Sequence, residues 1–355
     1  MNKNRLFNRI VLFALFGAAL GSANRVAAQT AVKELKLTPE NVTYGPIDGH
    51  SKPVIRVASG DTIAVETGGS GVLQGLRFAG VPDSELPAAL KEVGDYGTAH
   101  GMTNSPTTGP IYVEGAEPGD ILEVHFLKFD FINNYGWTQI APGSGTLQKE
   151  FPEYRIKVLH YDTTAGTAEF IPGITLKLAP FWGTVSVAPP LTPTPRSQVG
   201  MSPGPTGGNM DDRDLGAGST LYLPVQVPGA LLSMTDSHAV QGDGEISISA
   251  SETSLRGTIQ VFVRKGKRIM WPRAETPTTY MTMGVDPDLN EATRQAVREM
   301  VDFLVTEKGM TREDAYMLCS LAVDLRVTEF VDNPKGVRAI VPKSIFAKSG
   351  PMYGE

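Results

Sequence analysis

Five side chains able to bind a divalent cation lie near the middle of this 355-residue chain. Asp236 and His238 are two residues apart, and Asp211 comes earlier in the chain. Asp243 and Glu245 repeat the two-residue spacing after a glycine-containing stretch. Residues two apart point to the same side of an extended strand, so paired strand ends would bring these side chains together. Carboxylate oxygens and imidazole nitrogens bind zinc or calcium, and the pattern therefore predicts a metal site.

A cation at this site would lower the pKa of a water molecule and polarise a carbonyl group. The predicted ligands are Asp211, Asp236, His238 and Glu245. Asp243 or Glu245 would move the proton of the water to the leaving group, and Asn209 or a glycine N–H would stabilise the developing oxyanion. One glutamate cannot be both a tight ligand and a free base, so Asp243 takes the base role if Glu245 binds the metal. The histidine favours zinc and the number of carboxylates favours calcium.

Three other interpretations of this segment stay open. Hairpin loops favour Asp and Gly, and His238 would then be a hydrogen-bonded structural residue. Oxygen-rich glycine loops also suit a structural calcium in a non-catalytic, exported β-sandwich binding protein. A copper-binding cupredoxin is disfavoured because the one cysteine, Cys319, lies in a helical segment. Clustered carboxylates repel one another unless a cation or protons are shared among them, which favours the metal.

The elements that position these residues are mainly strands. Before residue 285, short alternating apolar runs are broken by Gly and Pro, which is typical of a β-sandwich or barrel. One predicted strand pair spans 54–67 around a turn at 59–61, and a second spans 111–126 around Pro118-Gly119. The further predicted strands are 221–227, 230–234, 245–250 and 258–263. The Pro-rich residues 188–207 are predicted to form a loop that brings Asn209 and Asp211 to the site.

The spacing of apolar residues changes to about 3.6 near residue 288. It predicts a helix over 289–307 and a second one from 311 to about 325, so that a C-terminal pair of α-helices packs on the β layers. The predicted organisation is a signal peptide at 1–28, an N-terminal β region at 29–187, a central β region with the site at 188–284, and a helical and tail region at 285–355.

The N-terminus and the composition limit where the protein acts. Basic residues precede the apolar run 10–20, and Ala28 ends a small-residue cleavage motif, which indicates a secretory signal peptide and a periplasmic or secreted protein. The run is too short to span a bilayer, so no membrane attachment is expected after cleavage. A net charge of −6 argues against nucleic-acid binding, and a single cysteine excludes an intramolecular disulfide.

Several longer blocks resemble one known family. They are Thr108–Asp120, Pro180–Gly183, Gly207–Asp211, Gly218–Ser233 and Asp236–Glu245. These blocks are similar to the acetamidase/formamidase family of amide hydrolases. The resemblance implies a largely β fold, the hydrolysis of small linear amides to a carboxylate and ammonia, and a homo-oligomer, most simply a dimer. Thr235 replaces the glycine that the family usually has before the Asp-x-His unit.

Two further residues are candidates for substrate binding. His100 precedes the Thr108–Asp120 block and Glu114 lies within it. The alternative for His100 is an ordinary loop histidine, and the alternative for Glu114 is an ordinary residue at the end of a strand.

Overall fold

The computed structural model describes residues 31–45, 47–68, 71–102, 106–191 and 202–354. The predicted signal peptide lies outside the described residues, as does part of the predicted Pro-rich loop. The strands are β1 (Lys33–Leu35), β2 (Val42–Tyr44), β3 (Ile55–Val57), β4 (Thr62–Thr67), β5 (Pro106–Val113), β6 (Ile121–Phe131), β7 (Tyr135–Ile140), β8 (Arg155–Asp162), β9 (Thr167–Ile171), β10 (Ile174–Lys177), β11 (Phe181–Ser186), β12 (Gly207–Asn209), β13 (Thr220–Pro224), β14 (Leu232–His238), β15 (Leu255–Arg264), β16 (Arg273–Glu275), β17 (Thr279–Asp286), β18 (Asp324–Glu329) and β19 (Lys335–Pro342).

Four α-helices accompany the strands in the described residues. They are α1 (Val72–Phe78), α2 (Ala88–Ala99), α3 (Leu289–Lys308) and α4 (Arg312–Ala322). Short 3-10 helices cover Pro39–Asn41 and Lys343–Ile345. No helix in the described ranges is long and apolar enough to cross a membrane.

The strands form three sheets. The nine-stranded sheet has the order β1-β4-β15-β6-β13-β16-β17-β19-β18. The six-stranded sheet has the order β12-β11-β14-β5-β2 with β3 beside β5, and the four-stranded sheet has the order β10-β9-β8-β7. One apolar core joins Trp182 and Met234 of the six-stranded sheet to Val124 and Ile259 of the nine-stranded sheet. The predicted mainly β, layered fold is confirmed.

The C-terminal helices cover another part of the nine-stranded sheet, as predicted. The apolar face of α3 packs Ala296 and Phe303 into a second core with Tyr280 and Val341. Helix α4 begins at the predicted place because the Thr311 hydroxyl accepts the N–H of Asp314 at 3.1 Å. It ends at Ala322, earlier than predicted, because β18 begins at Asp324, only two residues later.

Two local predictions are wrong. Residues 245–250 form turns, since Glu245 and Ile248 have φ angles of 44° and 88°, which a strand does not allow. Helices α1 and α2 were not predicted, because their glycines hid the helical spacing. Gly75 faces the indole of Trp137 so closely that a Cβ would lie 2.2 Å from that ring. A residue that breaks the helical pattern in the sequence therefore provides a packing contact in the fold.

Residues 32–355 form one compact unit. The division of the chain into N-terminal, central and C-terminal regions stays a prediction.

Candidate metal centre

The centre forms where β14 ends in the six-stranded sheet. Strand β14 lies between β11 and β5, so its last residue, His238, is completely buried. Glu252 forms an isolated bridge opposite His238. The backbone of Glu252 is held by Trp137 of β7 through hydrogen bonds of 2.8 and 3.0 Å. The histidine and this glutamate are therefore fixed relative to one another by backbone contacts.

Three carboxylate oxygens surround Nε2 of His238. Their distances from Nε2 are 3.3 Å for Glu252, 3.5 Å for Asp236 and 3.9 Å for Glu245. Nε2 is buried and has no hydrogen-bond partner among the described residues. Ligands about 2.1 Å from a tetrahedral cation are about 3.4 Å from one another. The donors are thus spaced as ligands of one cation.

The other ring nitrogen of His238 determines which tautomer is present. Nδ1 lies 2.8 Å from Oε1 of Gln241, and the amide nitrogen of Gln241 donates to the backbone oxygen of Asp211 at 3.0 Å. These contacts fix the orientation of the amide, so Oε1 accepts a hydrogen from Nδ1. Nε2 then keeps the lone pair with which a neutral imidazole binds a metal.

Gly183 of β11 provides the space in which these side chains meet. A Cβ at this position would lie 2.5 Å from Asp211 Oδ1, 2.7 Å from Asp236 Oδ2 and 2.9 Å from Cε1 of His238. No side chain at position 183 is compatible with the arrangement unless the three groups shift.

A second set of acidic residues lies on the other side of the imidazole. Asp211 Oδ1 is 3.6 Å from Nδ1 of His238. The Asn209 amide donates to Asp211 at 2.7 Å and to Asp332 at 3.0 Å. Glu329 is fully buried, and both of its carboxylate oxygens are without a hydrogen-bond partner in the described structure. Asp211, Glu329 and Asp332 are close enough to share one ion.

The electrostatics require an added positive charge or bound protons. Burial, followed by the charges of Asp211 and Asp332, raises the pKa of Glu329 to about 11. Burial also raises the pKa of Asp211 and of Glu245 well above the usual range. For His238, burial lowers the pKa, but the charges of Glu252 and Asp236 outweigh it and raise the pKa well above its usual value. A cation would replace protons that the cluster otherwise holds.

Backbone strain is concentrated in the same residues. Asp211, Asp236 and Glu245 have φ angles of 45°, 62° and 44°, in the left-handed region that non-glycine residues rarely adopt. Each such residue costs about 1–3 kcal/mol, and strain of this kind is found mainly at functional sites.

The structure brings most of the predicted metal ligands together. Asp236, His238 and Glu245 surround Nε2, whereas Asp211 lies beside Nδ1. Asn209 belongs to the same cluster, but its amide hydrogens are donated to two carboxylates.

Three other predicted residues are located elsewhere. Asp243 is 2.9 Å from the guanidinium of Arg338 and is not among the grouped ligands. His100 is exposed after α2, where its Nδ1 lies 2.8 Å from the backbone oxygen of Tyr96. Glu114 is exposed and forms an ion pair with Arg56 at 2.7 Å.

Sequence reasoning missed Glu252, Gln241, Glu329 and Asp332. The residue types around Glu252 could have drawn attention to it. Residues 249–254 combine small residues with one glutamate, and all six are buried. A buried run of Ser, Ala and Thr around a single carboxylate indicates a polar interior site.

Comparison with known proteins identifies the family. The model of the acetamidase/formamidase family matches residues 95–194 and 196–348. The chain belongs to the acetamidase/formamidase family. The acetamidase from Bacillus halodurans superposes with a TM-score of 0.74 at 32% identity, covering 89% of this chain and 99% of that one. The resemblance and the predicted amidase activity on carbon–nitrogen bonds other than peptide bonds are confirmed.

Sequence relatives are more distant. The formamidase from Methylophilus methylotrophus is 26% identical over 312 residues, covering 67% of this chain and 76% of the relative. A relative from Schizosaccharomyces pombe is 26% identical over 231 residues, which are 51% of this chain and 56% of that relative's length. Membership of a family of amidases does not favour the alternative of a non-catalytic binding protein.

Proposed function

We propose that this amidase hydrolyses small linear amides, of the size of formamide and acetamide, with a divalent cation bound at Nε2 of His238. The observation that carries the proposal is the buried Nε2, which has no hydrogen-bond partner among the described residues and lies among three carboxylates. The relatives named formamidase and acetamidase support the substrate class.

His238, Asp236 and Glu252 are the residues that would hold the cation. The bound ion would supply Lewis-acid activation of a water molecule and of the amide carbonyl. This set adds Glu252 to the predicted ligands and leaves out two of them. Asp211 lies beside the nitrogen that carries the hydrogen, and Glu245 is the most distant of the three carboxylates from Nε2, at 3.9 Å. The imidazole suits zinc and the carboxylates suit calcium, so both ions belong in the test.

Glu245 is the residue that we assign to proton transfer. Burial, with the charge of Asp211, raises its pKa well above the usual range, so its carboxyl group holds a proton more readily than an ordinary carboxylate and can exchange it with a neighbouring group. Asp243 is a poorer candidate because it pairs with the guanidinium of Arg338 at 2.9 Å and lies outside the grouped ligands. Asn209 orients the carboxylates of Asp211 and Asp332 through its amide hydrogens.

The test measures ammonia release from formamide, acetamide and propionamide by the purified protein, with metal content determined before and after chelation. We expect release to stop on chelation, to return with one of the two cations and to be absent in His238→Ala. His160→Ala is the matched control, since His160 is an exposed strand residue, and it should keep full activity. Undiminished release by metal-free protein would contradict the metal proposal. Stoichiometric metal without ammonia from any amide would contradict the substrate class.

We also propose that the protein is exported. The basic and apolar pattern of residues 1–28 supports this. Expression of the complete chain in a Gram-negative host, followed by N-terminal sequencing of the protein in each cell fraction, tests it. A periplasmic protein that begins at Gln29 is expected, and an uncleaved cytoplasmic protein would contradict it.

A further inference from the structure

Arg338 of β19 is a completely buried cation beside the metal centre. Its guanidinium contacts the carboxylates of Asp212 at 2.5 Å, Asp243 at 2.9 Å and Asp214 at 3.1 Å. Asp212 is also completely buried, whereas the side chains of Asp214 and Asp243 keep 32% and 28% of their exposure. A buried guanidinium needs such partners, because an unpaired buried charge is strongly destabilising.

The partners of Arg338 belong to the two segments that carry site residues. Asp212 follows Asp211 directly, and Asp243 precedes Glu245 by two positions. Neither segment lies in a named strand or helix. Only isolated backbone contacts hold them: Asp211 N–H donates to Gly183 O at 3.1 Å, and Gly244 forms a single bridge with Glu329. Asp211 and Glu245 nevertheless have strained left-handed backbones that their surroundings must hold in place.

We propose that Arg338 is a positioning residue that holds these two segments at the separation at which Asp211 and Glu245 face His238. The inference rests on the proposed function, but one of its tests is independent of that function. The fork of the guanidinium is essential to the role. One terminal nitrogen contacts Asp212 while the other contacts Asp243 and Asp214, so a single group links both segments. A lysine would keep the charge but present one nitrogen, and it would release at least one segment.

Arg273 offers a matched control. It is a buried arginine of β16 in the same nine-stranded sheet, and it forms an ion pair with Glu299 of α3 at 3.4 Å. It also donates a hydrogen bond to the Tyr353 hydroxyl at 3.1 Å, and neither of these partners belongs to a site segment. Arg338→Lys and Arg273→Lys therefore make the same chemical change to two buried ion pairs, of which one borders the centre.

The experiment compares the two variants in the full chain by thermal unfolding, calorimetric titration with zinc and with calcium, and separate determination of kcat and KM for formamide. We expect both variants to lower Tm, but only Arg338→Lys to lower kcat, by roughly 10–100-fold as for other residues that act by orienting a site group. KM and the affinity for the cation should change little, because the residues that would hold the cation are not the ones that Arg338 positions. An unaltered kcat in Arg338→Lys would overturn the proposal. An equal effect in Arg273→Lys would overturn it too, because it would reflect general stability.

Hydrogen exchange provides the readout that does not require activity. In Arg338→Lys, amides of residues 211–216 and 240–247 should exchange faster than in the wild type, and Arg273→Lys should leave them unchanged. This measurement decides the proposal even if the wild type binds no cation and releases no ammonia, which would contradict only the proposed function. If Arg338→Lys does not fold, Asp243→Asn replaces it. That variant should accelerate exchange in 240–247 alone, and unchanged exchange there would overturn the proposal.

Discussion

Asp211 and Asp212 are adjacent in the chain and nearly without exposure, yet they belong to two different electrostatic regions. Asp212 faces the guanidinium of Arg338, a permanent positive charge supplied by the protein. Asp211 faces His238 and other carboxylates, and its Oδ1 has no hydrogen-bond partner in the described structure. The first region contains its own counter-charge as folded, although Asp212 Oδ2 and Arg338 Nε have no hydrogen-bond partner among the described residues, and the second gains a compensating charge only with an ion or with protons. The difference separates carboxylates that stabilise the fold from those available for chemistry.

The largest expected effect is a loss of ammonia release, and it comes from a change in the region of His238, where the protein supplies no permanent positive charge. Glu252→Gln should reduce ammonia release on the order of 10³-fold and abolish tight cation binding, because it removes the ligand nearest to Nε2 of His238. Asp243→Asn, in the other region, should lower activity by no more than roughly 100-fold, the upper end of the scale for residues that only orient site groups. Steady-state kinetics with metal analysis on both variants checks this, and a larger loss in Asp243→Asn would return the base role to Asp243.

The free energy of unfolding should depend more on the region of Asp212 than on the region of Asp211. Asp212→Asn should lower the free energy of unfolding by about 3–5 kcal/mol, because it breaks a buried ion pair and leaves Arg338 undercompensated. Asp211→Asn in the metal-free protein should leave that free energy unchanged or raise it, because it removes a buried carboxyl with a raised pKa. Chemical denaturation in the presence of a chelator compares the two. Equal destabilisation by both variants would remove the distinction between the regions.

Gln241 links the two regions, since it lies between Asp243 and His238 and accepts the hydrogen of Nδ1. Gln241→Leu should weaken cation binding by roughly 10–100-fold, because the tautomer that exposes the Nε2 lone pair is no longer favoured. Calorimetric titration measures the change. Gln260→Leu is a suitable control, as that side chain bonds to the backbone of Gly60 in another part of the fold, and an equal loss there would argue against the role of Gln241.

The pH dependence of stability provides a contrast that needs no substitution. The pKa of Glu329 is raised to about 11, and those of Asp211 and Glu245 lie well above the values of the unfolded chain. The metal-free native state therefore binds more protons than the unfolded state at neutral pH, and its stability falls as pH rises above about 5, by about 1.4 kcal/mol per pH unit for each extra proton. Urea denaturation at several pH values should show this slope, and saturating cation should flatten it. Stability of the metal-free protein that increases with pH would contradict the assignment.

Much of the fold follows from local sequence patterns. The helical spacing of 289–307 and the Thr311 cap are sufficient to place α3 and the start of α4, because both signals act within a few residues. The strand predicted at 245–250 is absent for a physical reason. Its alternation predicts a strand, but the segment bends so that Glu245 can reach His238, and that tertiary contact outweighs the local preference.

The site was predictable only where its residues are close in the sequence. Asp236 and His238 share one strand, and their two-residue spacing identified them. The prediction for Asp243 could not take account of a distant partner. Arg338, 95 residues after Asp243, pairs with that carboxylate, and a single sequence contains no signal of such a pair.

The strand order of the nine-stranded sheet affects how fast the protein folds. Strand β4, at residues 62–67, pairs with β15 at 255–264. Contacts this far apart in sequence close large loops and slow the folding of β proteins. Glu252 of the centre is likewise held by the distant Trp137 of β7. The cation is therefore expected to bind after these distant strands have come together, and it would not act as a nucleus for folding.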